Sequence, residues 1–283
     1  MARNTKGLTA YLILSFGLAW GGIAAVVASG GSVVNPLLQL PIAFAPAVAA
    51  LVVRAWVTRE GFADARQRLR LRAARRYYLY AWLGPVLVLA ASVALAAAFG
   101  DLPDLAAVPE AVLGADVPWA VLAPLALLVP VVAMPVFWGE EFGWRGYLQQ
   151  RVGRSPLTAA LITGLIWAAW HAPLVFTDYA RSDAPGLTLA TWAAQIVAQA
   201  VILAWLFLRS GSIWVPSLAH AGNNLVIGTF SEPLLGGFAP WEVNLLQAAP
   251  LLVLCAWVVL TGRLSPEPQR RKETDKARIA PIG

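Results

Sequence analysis

Charge is scarce in this chain. Asp, Glu, Lys and Arg make up 13% of its 283 residues, roughly half the share of an ordinary soluble domain. Cysteine is scarcer still. The single Cys255 lies inside an apolar run, which excludes a disulfide or a cysteine metal cluster within the chain. Histidine occurs twice, and the H-E-x-x-H pattern of helical zinc proteases is missing. No fixed-period repeat is present. What is abundant is apolar: 59% of the residues are hydrophobic and the mean hydropathy is +0.67. That balance excludes a soluble globule, a disordered chain and a disulfide scaffold. It leaves an all-α, polytopic membrane protein with no separate soluble domain. Thirteen tryptophans suit a protein whose amphipathic rings sit at lipid headgroups.

A span needs about 20 apolar residues. Eight runs meet that need: Leu8–Ala28, Leu37–Val57, Tyr77–Phe99, Val117–Trp138, Leu157–Phe176, Leu187–Leu208, Ile213–Phe230 and Trp241–Thr261. The first is read as a retained helix, because it is long and no cleavage site follows it. The fourth reaches past Trp138. Pro130 and Pro135 kink it, and the next helix has a clear start at Ser155 and Pro156, so the turn falls near Gly153. Four regions follow: helices one to three with a basic loop (1–117), a core (118–230), a last span (231–262) and a basic tail (263–283).

Charge then gives the orientation. With eight spans and an inside N-terminus, the inside segments hold Arg3, Lys6, Arg54, the arginines of Arg59–Arg76, Arg145, Arg151, Arg154, Arg209, Arg263, Arg270, Arg271, Lys272, Lys276 and Arg278. Of the 21 basic residues, only Arg181 falls outside. The outside loops carry Asp101, Asp104, Glu110, Asp116, Asp178, Asp183, Glu232 and Glu242. The positive-inside rule places both termini in the cytoplasm of a bacterial-type cytoplasmic membrane. The Arg59–Arg76 stretch is expected against anionic lipid. The net charge of +6 therefore signals orientation and the lipid bilayer as a partner, not nucleic acid.

Ionisable side chains are costly inside a bilayer, so each one at depth is a functional candidate. Glu140, Glu141, His171 and His220 lie at depth, with Arg145 just beyond. Straight helices at 1.5 Å per residue would put Glu140 about 20 Å, His171 about 27 Å and His220 about 13 Å from the nearest cytoplasmic turn. A bent helix or a re-entrant start to the seventh span is needed to bring them level. Glu140 and Glu141 point about 100° apart. Glu141 stands four residues before Arg145, the favourable order for an ion pair, so this pair is assigned to holding the helix and orienting the site. Glu140 is left without a partner, free to act as a base. His220 and Asn224, also four apart, can jointly donate to an oxyanion. Trp138, Trp144, Trp167 and Trp170 are read as packing or interface anchors, and Gly139, Gly143 and Gly146 as close-contact positions.

Three motifs emerge in order. Glu140-Glu141-Phe-Gly-Trp-Arg145 fits E-E-x-x-x-R, Trp167-Ala-Ala-Trp-His171 fits F-x-x-x-H with tryptophan for phenylalanine, and His220-Ala-Gly-Asn-Asn224 fits H-x-x-x-N. Together they resemble the CAAX-protease and bacteriocin-processing (CPBP or ABI) family of intramembrane endopeptidases, over roughly residues 118–230. The resemblance implies a helical core whose catalytic cavity opens toward the cytoplasm. It implies Glu140 and His171 as the water-activating pair, and His220 with Asn224 on the oxyanion side. Eukaryotic relatives trim prenylated CAAX proteins, and bacterial ones are tied to peptide maturation or self-immunity. The implied partner is a membrane-associated protein or peptide substrate.

A metal remains open at this point. Glu140, His171 and His220 are ligand types suited to Zn2+, while a glutamate acting on water needs none. Two other readings stand beside the protease: a non-catalytic immunity or scaffold protein, and a membrane anchor whose two histidines ligate haem.

Overall fold

The computed structural model describes residues 5–100 and 103–264. Arg3, Asp101 and the tail residues Arg270, Arg271, Lys272, Lys276 and Arg278 lie outside the described residues. The described chain is helical, without strands. Its helices are α1 (Thr5–Ala28), α2 (Pro36–Ala43), α3 (Ala45–Val52), α4 (Arg75–Ala98), α5 (Val108–Leu113), α6 (Trp119–Trp144), α7 (Pro156–His171), α8 (Pro185–Ser210), α9 (Trp214–Gly222), α10 (Gly228–Leu235) and α11 (Pro240–Leu260).

Local sequence explains the boundaries. Asn35 caps α2 through Leu37 N–H at 3.0 Å, and Ser155 caps α7 through Thr158 N–H at 3.1 Å, each with proline opening the helix. Gly153 turns the chain with φ +72°, where a Cβ would come within 2.7 Å of Ala159 Cα. The helix α6 is unbroken through Pro124, Pro130 and Pro135. Its span runs on to Gln150, as the position of Ser155 required. At Gly143 a Cβ would meet the Pro46 carbonyl carbon at 2.7 Å, so α3 and α6 touch backbone to backbone there.

Among the described residues seven helices, rather than eight, are long and apolar enough to cross a membrane. The expected span at 213–230 does not qualify, because His220, Asn223 and Asn224 make it polar. It is nevertheless continuous in space from α9 through a π-helical segment, Asn223–Ile227, into α10. Protein surrounds its first part, since every residue from Val215 to Gly222 is buried. In a bilayer such a segment is tolerated only inside the bundle. Leu87, Val132, Val253 and Leu260, by contrast, are exposed on the lipid-facing periphery, as a protein solvated by hydrocarbon requires.

The loops sort into two faces. On one, Ile213 N–H donates to Arg66 O (3.0 Å), Trp214 Nε1–H to Gln67 O (2.7 Å), and Gln150 to Asp64 O (2.8 Å). That face gathers the arginine-rich loop 58–74 with the turns at 145–155 and 209–213. On the other, Asp178 accepts from Ser32 Oγ and from Val33 N–H (3.1 Å). The end of α10 packs on α5, and the Trp119 ring stacks on Phe230. The α9–α10 segment therefore starts at one face and ends at the other, completing an eighth pass.

Part of the arginine-rich loop is held by protein, while Arg59, Arg68, Arg70, Arg72 and Arg75 stay exposed. Arg54 is fully buried and bonds Gly61 O, Asp64 and Gly146 O, while Arg151 reaches Glu60 (2.5 Å) and Asp64 (3.2 Å). Arg66 donates to the last carbonyls of α8, Phe207 O and Leu208 O, at 3.1 and 3.3 Å. Together these contacts latch loop 58–66 over the turn that follows α6.

Burial opposes ionisation of Asp64, and hydrogen bonds and charge from Arg54 and Arg151 outweigh it, holding the carboxyl below its ordinary 3.8. A carboxyl held down in the folded state stabilises that state at any pH above the unfolded value, and the contribution is lost as pH falls through the folded value. The melting temperature should therefore drop below about pH 4, and Asp64→Asn should lower it at neutral pH while removing that acid-dependent step. Parallel curves for the two proteins would take Asp64 out of the latch.

Candidate functional site

The site begins at the buried end of α6, where residues 141–149 are all buried. Glu141 is fully buried. Its Oε1 accepts a hydrogen bond from Arg145 at 2.8 Å, the expected four-residue pair, and a second from His220 Nδ1–H at 3.0 Å. One carboxylate oxygen thus ties the α6 turn to α9. Glu140 points elsewhere, as helical geometry demands, but it is not free of partners. Its Oε2 accepts from the indole N–H of Trp167 at 2.8 Å and of Trp144 at 3.2 Å. No cation pairs with it, so the correction is one of kind: two neutral donors hold the acid in place.

Both donors had been set aside as packing residues. The signal for Trp144 lay in its spacing, four residues beyond Glu140 on the same helical face. Trp167 occupies the aromatic position of the second motif, where phenylalanine has no N–H to give. It is also the hub of the site. The Arg145 guanidinium lies over its ring, 4.6 Å from the centroid. The His220 ring meets it edge-on at 5.1 Å and the His171 ring at 5.6 Å. Its own carbonyl accepts from His171 Nδ1–H at 2.9 Å. One residue therefore touches Glu140, Arg145, His171 and His220.

These contacts also resolve the spread in depth. The α-helix α6 ends at Trp144, and the chain turns through buried positions to Gln150. Glu140 is thus one helical turn from the end of α6, and Trp167 and His220 meet at the same level.

His171, His220, Trp167, Asn223 and Asn224 line a cavity of about 560 Å³, a volume in the range of ligand clefts. Asn224 opens into it from the π-helical segment, with Asn223 beside it. Glu140 and Glu141 sit behind this wall. The lining also includes Asp178, Tyr179, Ala180, Arg181, Gly236 and Phe238. Asp178 among them lies on the face opposite the arginine-rich loops.

The zinc and haem readings can be tested against these donors. Among the described residues no three His, Cys, Asp or Glu side chains converge as a metal site. The Nδ1 atoms of both histidines are engaged, one by Glu141 and one by Trp167 O, and two indoles take Glu140 Oε2. Those bonds leave both Nε2 atoms, the ones a zinc-bound histidine uses, so the donors themselves are compatible with zinc while their placement among the described residues gives no converging triad. A haem does not fit, because the Trp167 indole fills the space between the two imidazoles.

Residues 118–226 match the family model of the type II CAAX prenyl endopeptidases, Rce1-like. This stretch of the chain thus resembles the type II CAAX prenyl endopeptidases. All three motifs lie inside the matched stretch. CAAX prenyl protease 2 of Methanococcus maripaludis is 27% identical over 133 residues, 43% of this chain and 45% of that relative. The similarity therefore spans less than half of either protein.

The two functions of the Trp167 side chain can be separated by substitution. Trp167→Ala removes the ring and should cost about 3–5 kcal/mol. Trp167→Phe removes the N–H and one ring of the indole but keeps an aromatic face, and should cost less, about 1–3 kcal/mol for the Glu140 bond. Thermal unfolding in detergent distinguishes them. Equal losses would mean that the ring contacts to Arg145 and the two histidines contribute nothing.

Proposed function

We propose that the protein is an intramembrane endopeptidase that hydrolyses a peptide bond of a membrane-associated protein or peptide. The observation that supports this reading best is the division of labour between two neighbouring carboxylates. Glu141 is consumed by Arg145 and His220, while Glu140 is held only by N–H donors and stays available for chemistry. The resemblance of residues 118–226 to the type II CAAX prenyl endopeptidases and the similarity to a CAAX prenyl protease support the same reaction class.

In this reading Glu140 and His171 activate a water. His171 donates Nδ1–H to the Trp167 carbonyl, a bond that fixes the tautomer and leaves Nε2 with its lone pair. Glu140, aimed by the two indoles, takes the water proton as hydroxide adds to the peptide carbonyl. The carbonyl oxygen becomes an oxyanion, and the Asn224 amide donates to it from the cavity wall. His220 joins through Nε2–H when its ring carries both protons, with Nδ1–H anchored on Glu141. Collapse of the tetrahedral intermediate expels the amine, which receives the proton held by Glu140. No step is routed through a metal. A non-catalytic immunity or scaffold role would leave His171 and Asn224, which both line the cavity, without a purpose.

The test compares the two acids. Glu140→Gln should leave a folded, membrane-inserted protein whose peptide cleavage falls by about a hundredfold or more. Glu141→Gln should lower the melting temperature as well, because it strips one partner from a buried arginine, a loss of about 3–5 kcal/mol. Near-normal cleavage by Glu140→Gln, with a stable but inactive Glu141→Gln, would reverse the roles.

A further inference from the structure

A second cavity, of about 490 Å³, lies between α4, α8, α9 and α11, with Leu83, Leu87, Ile202, Leu206 and Leu254 in its walls. Leu79, Tyr80 and Leu87 on its α4 side are exposed, so it opens on the periphery that hydrocarbon solvates. Gly84 belongs to the same wall, and a Cβ there would meet nothing within 4 Å. Along α4 the lining runs from Leu79 to Val88, a rise of about 14 Å. That length matches one leaflet of a hydrocarbon core about 30 Å thick. Gln199 and Asn223 line both this groove and the cavity at the candidate site, so the groove backs onto the site.

Positive charge collects at one end of it. The Tyr80 and Trp205 rings stack there with centroids 6.0 Å apart, and Trp257 meets Trp205 edge-on at 5.7 Å. The Arg263 guanidinium lies over the Trp257 ring, 4.3 Å from the centroid. The Tyr77 hydroxyl, one turn before Tyr80, accepts from Arg76 at 2.9 Å and from Arg209 at 3.3 Å. Its ring meets both Tyr80 and Trp205. Arg76 stands in the first turn of α4, Arg209 in the last turn of α8, and Arg263 just past α11. All three therefore belong to the arginine-rich face of the bundle. An apolar trough with an aromatic collar and guanidinium groups at its tip fits a long hydrocarbon chain carrying an anionic head. Guanidinium groups take phosphate oxygens through paired, charge-assisted hydrogen bonds. A neutral lipid would fill the trough equally well and gain nothing from the arginines.

We propose that this groove binds an anionic phospholipid from the leaflet beside the arginine-rich face, with an acyl chain along α4 and α8 and the phosphate among Arg76, Arg209 and Arg263. The proposal rests on the groove and its charged end, and not on the proteolytic reading.

Native mass spectrometry of the full chain in mild detergent tests it. Delipidated protein is titrated with phosphatidylglycerol and, separately, with phosphatidylcholine of the same acyl chains. The first phosphatidylglycerol should bind about tenfold or more tightly than the first phosphatidylcholine, because basic groups at the surface favour anionic lipid. Arg76→Gln combined with Arg263→Gln should erase that preference and leave phosphatidylcholine binding as it was. Gly84→Trp, which fills the trough, should weaken the first binding of both lipids. Equal binding of the two lipids by the unaltered protein overturns the proposal, as does a preference that survives the arginine replacements or full binding by a folded Gly84→Trp protein. If Gly84→Trp does not fold, the arginine pair still decides. Displacement of phosphatidylglycerol by a prenylated peptide, but not by the same peptide unmodified, would give the groove to a substrate's lipid and overturn the proposal as well.

Discussion

A single carboxylate oxygen, Glu141 Oε1, accepts from Arg145 and from His220 in a place fully shielded from solvent. The rest of the site is arranged around that constraint. An acid so buried is tolerable only with charged or strongly polar partners, and each of its two partners fixes a different element. Arg145 pins the turn that ends α6, and His220 pins α9 in the centre of the bundle. Because the helix advances about 100° per residue, satisfying Glu141 turns Glu140 away from Arg145 and toward α7, where Trp167 waits.

Trp167 then carries the arrangement from α6 to α7. Its N–H holds Glu140, its face lies under Arg145, its edges meet both histidines, and its carbonyl sets the tautomer of His171. Support comes from outside the matched core as well. Tyr11 of α1 meets Trp144 edge-on at 6.1 Å, and Arg54 at the end of the second span bonds Gly146 O at 2.7 Å. The first helices thus brace the site although their sequence carries no motif.

Much of this was legible in the sequence because membrane placement makes polar residues conspicuous. Two glutamates, two histidines and one arginine at depth could hardly be solvated chance, and the four-residue spacing of Glu141 and Arg145 gave their pair directly. What stayed hidden has a physical cause in each case. The bond from Glu141 to His220 joins residues 79 apart, beyond any local periodicity. The two indole donors to Glu140 were masked by the ordinary role of tryptophan as a membrane-interface anchor. The eighth pass looked like a span of its own, yet its polar centre is tolerable only because other helices enclose it.

The account stands or falls on whether Glu141 couples to His220 energetically rather than merely lying beside it. A double-mutant cycle on unfolding free energy, using Glu141→Gln, His220→Asn and the pair together, measures that coupling without reference to any substrate. Residues in one buried hydrogen-bonded network show interaction energies of about 0.5–3 kcal/mol, and the account predicts a value in that range, with the double variant less damaged than the sum of the singles. Strict additivity would contradict it, because His220 would then be positioned by packing alone and Glu141 would serve only Arg145.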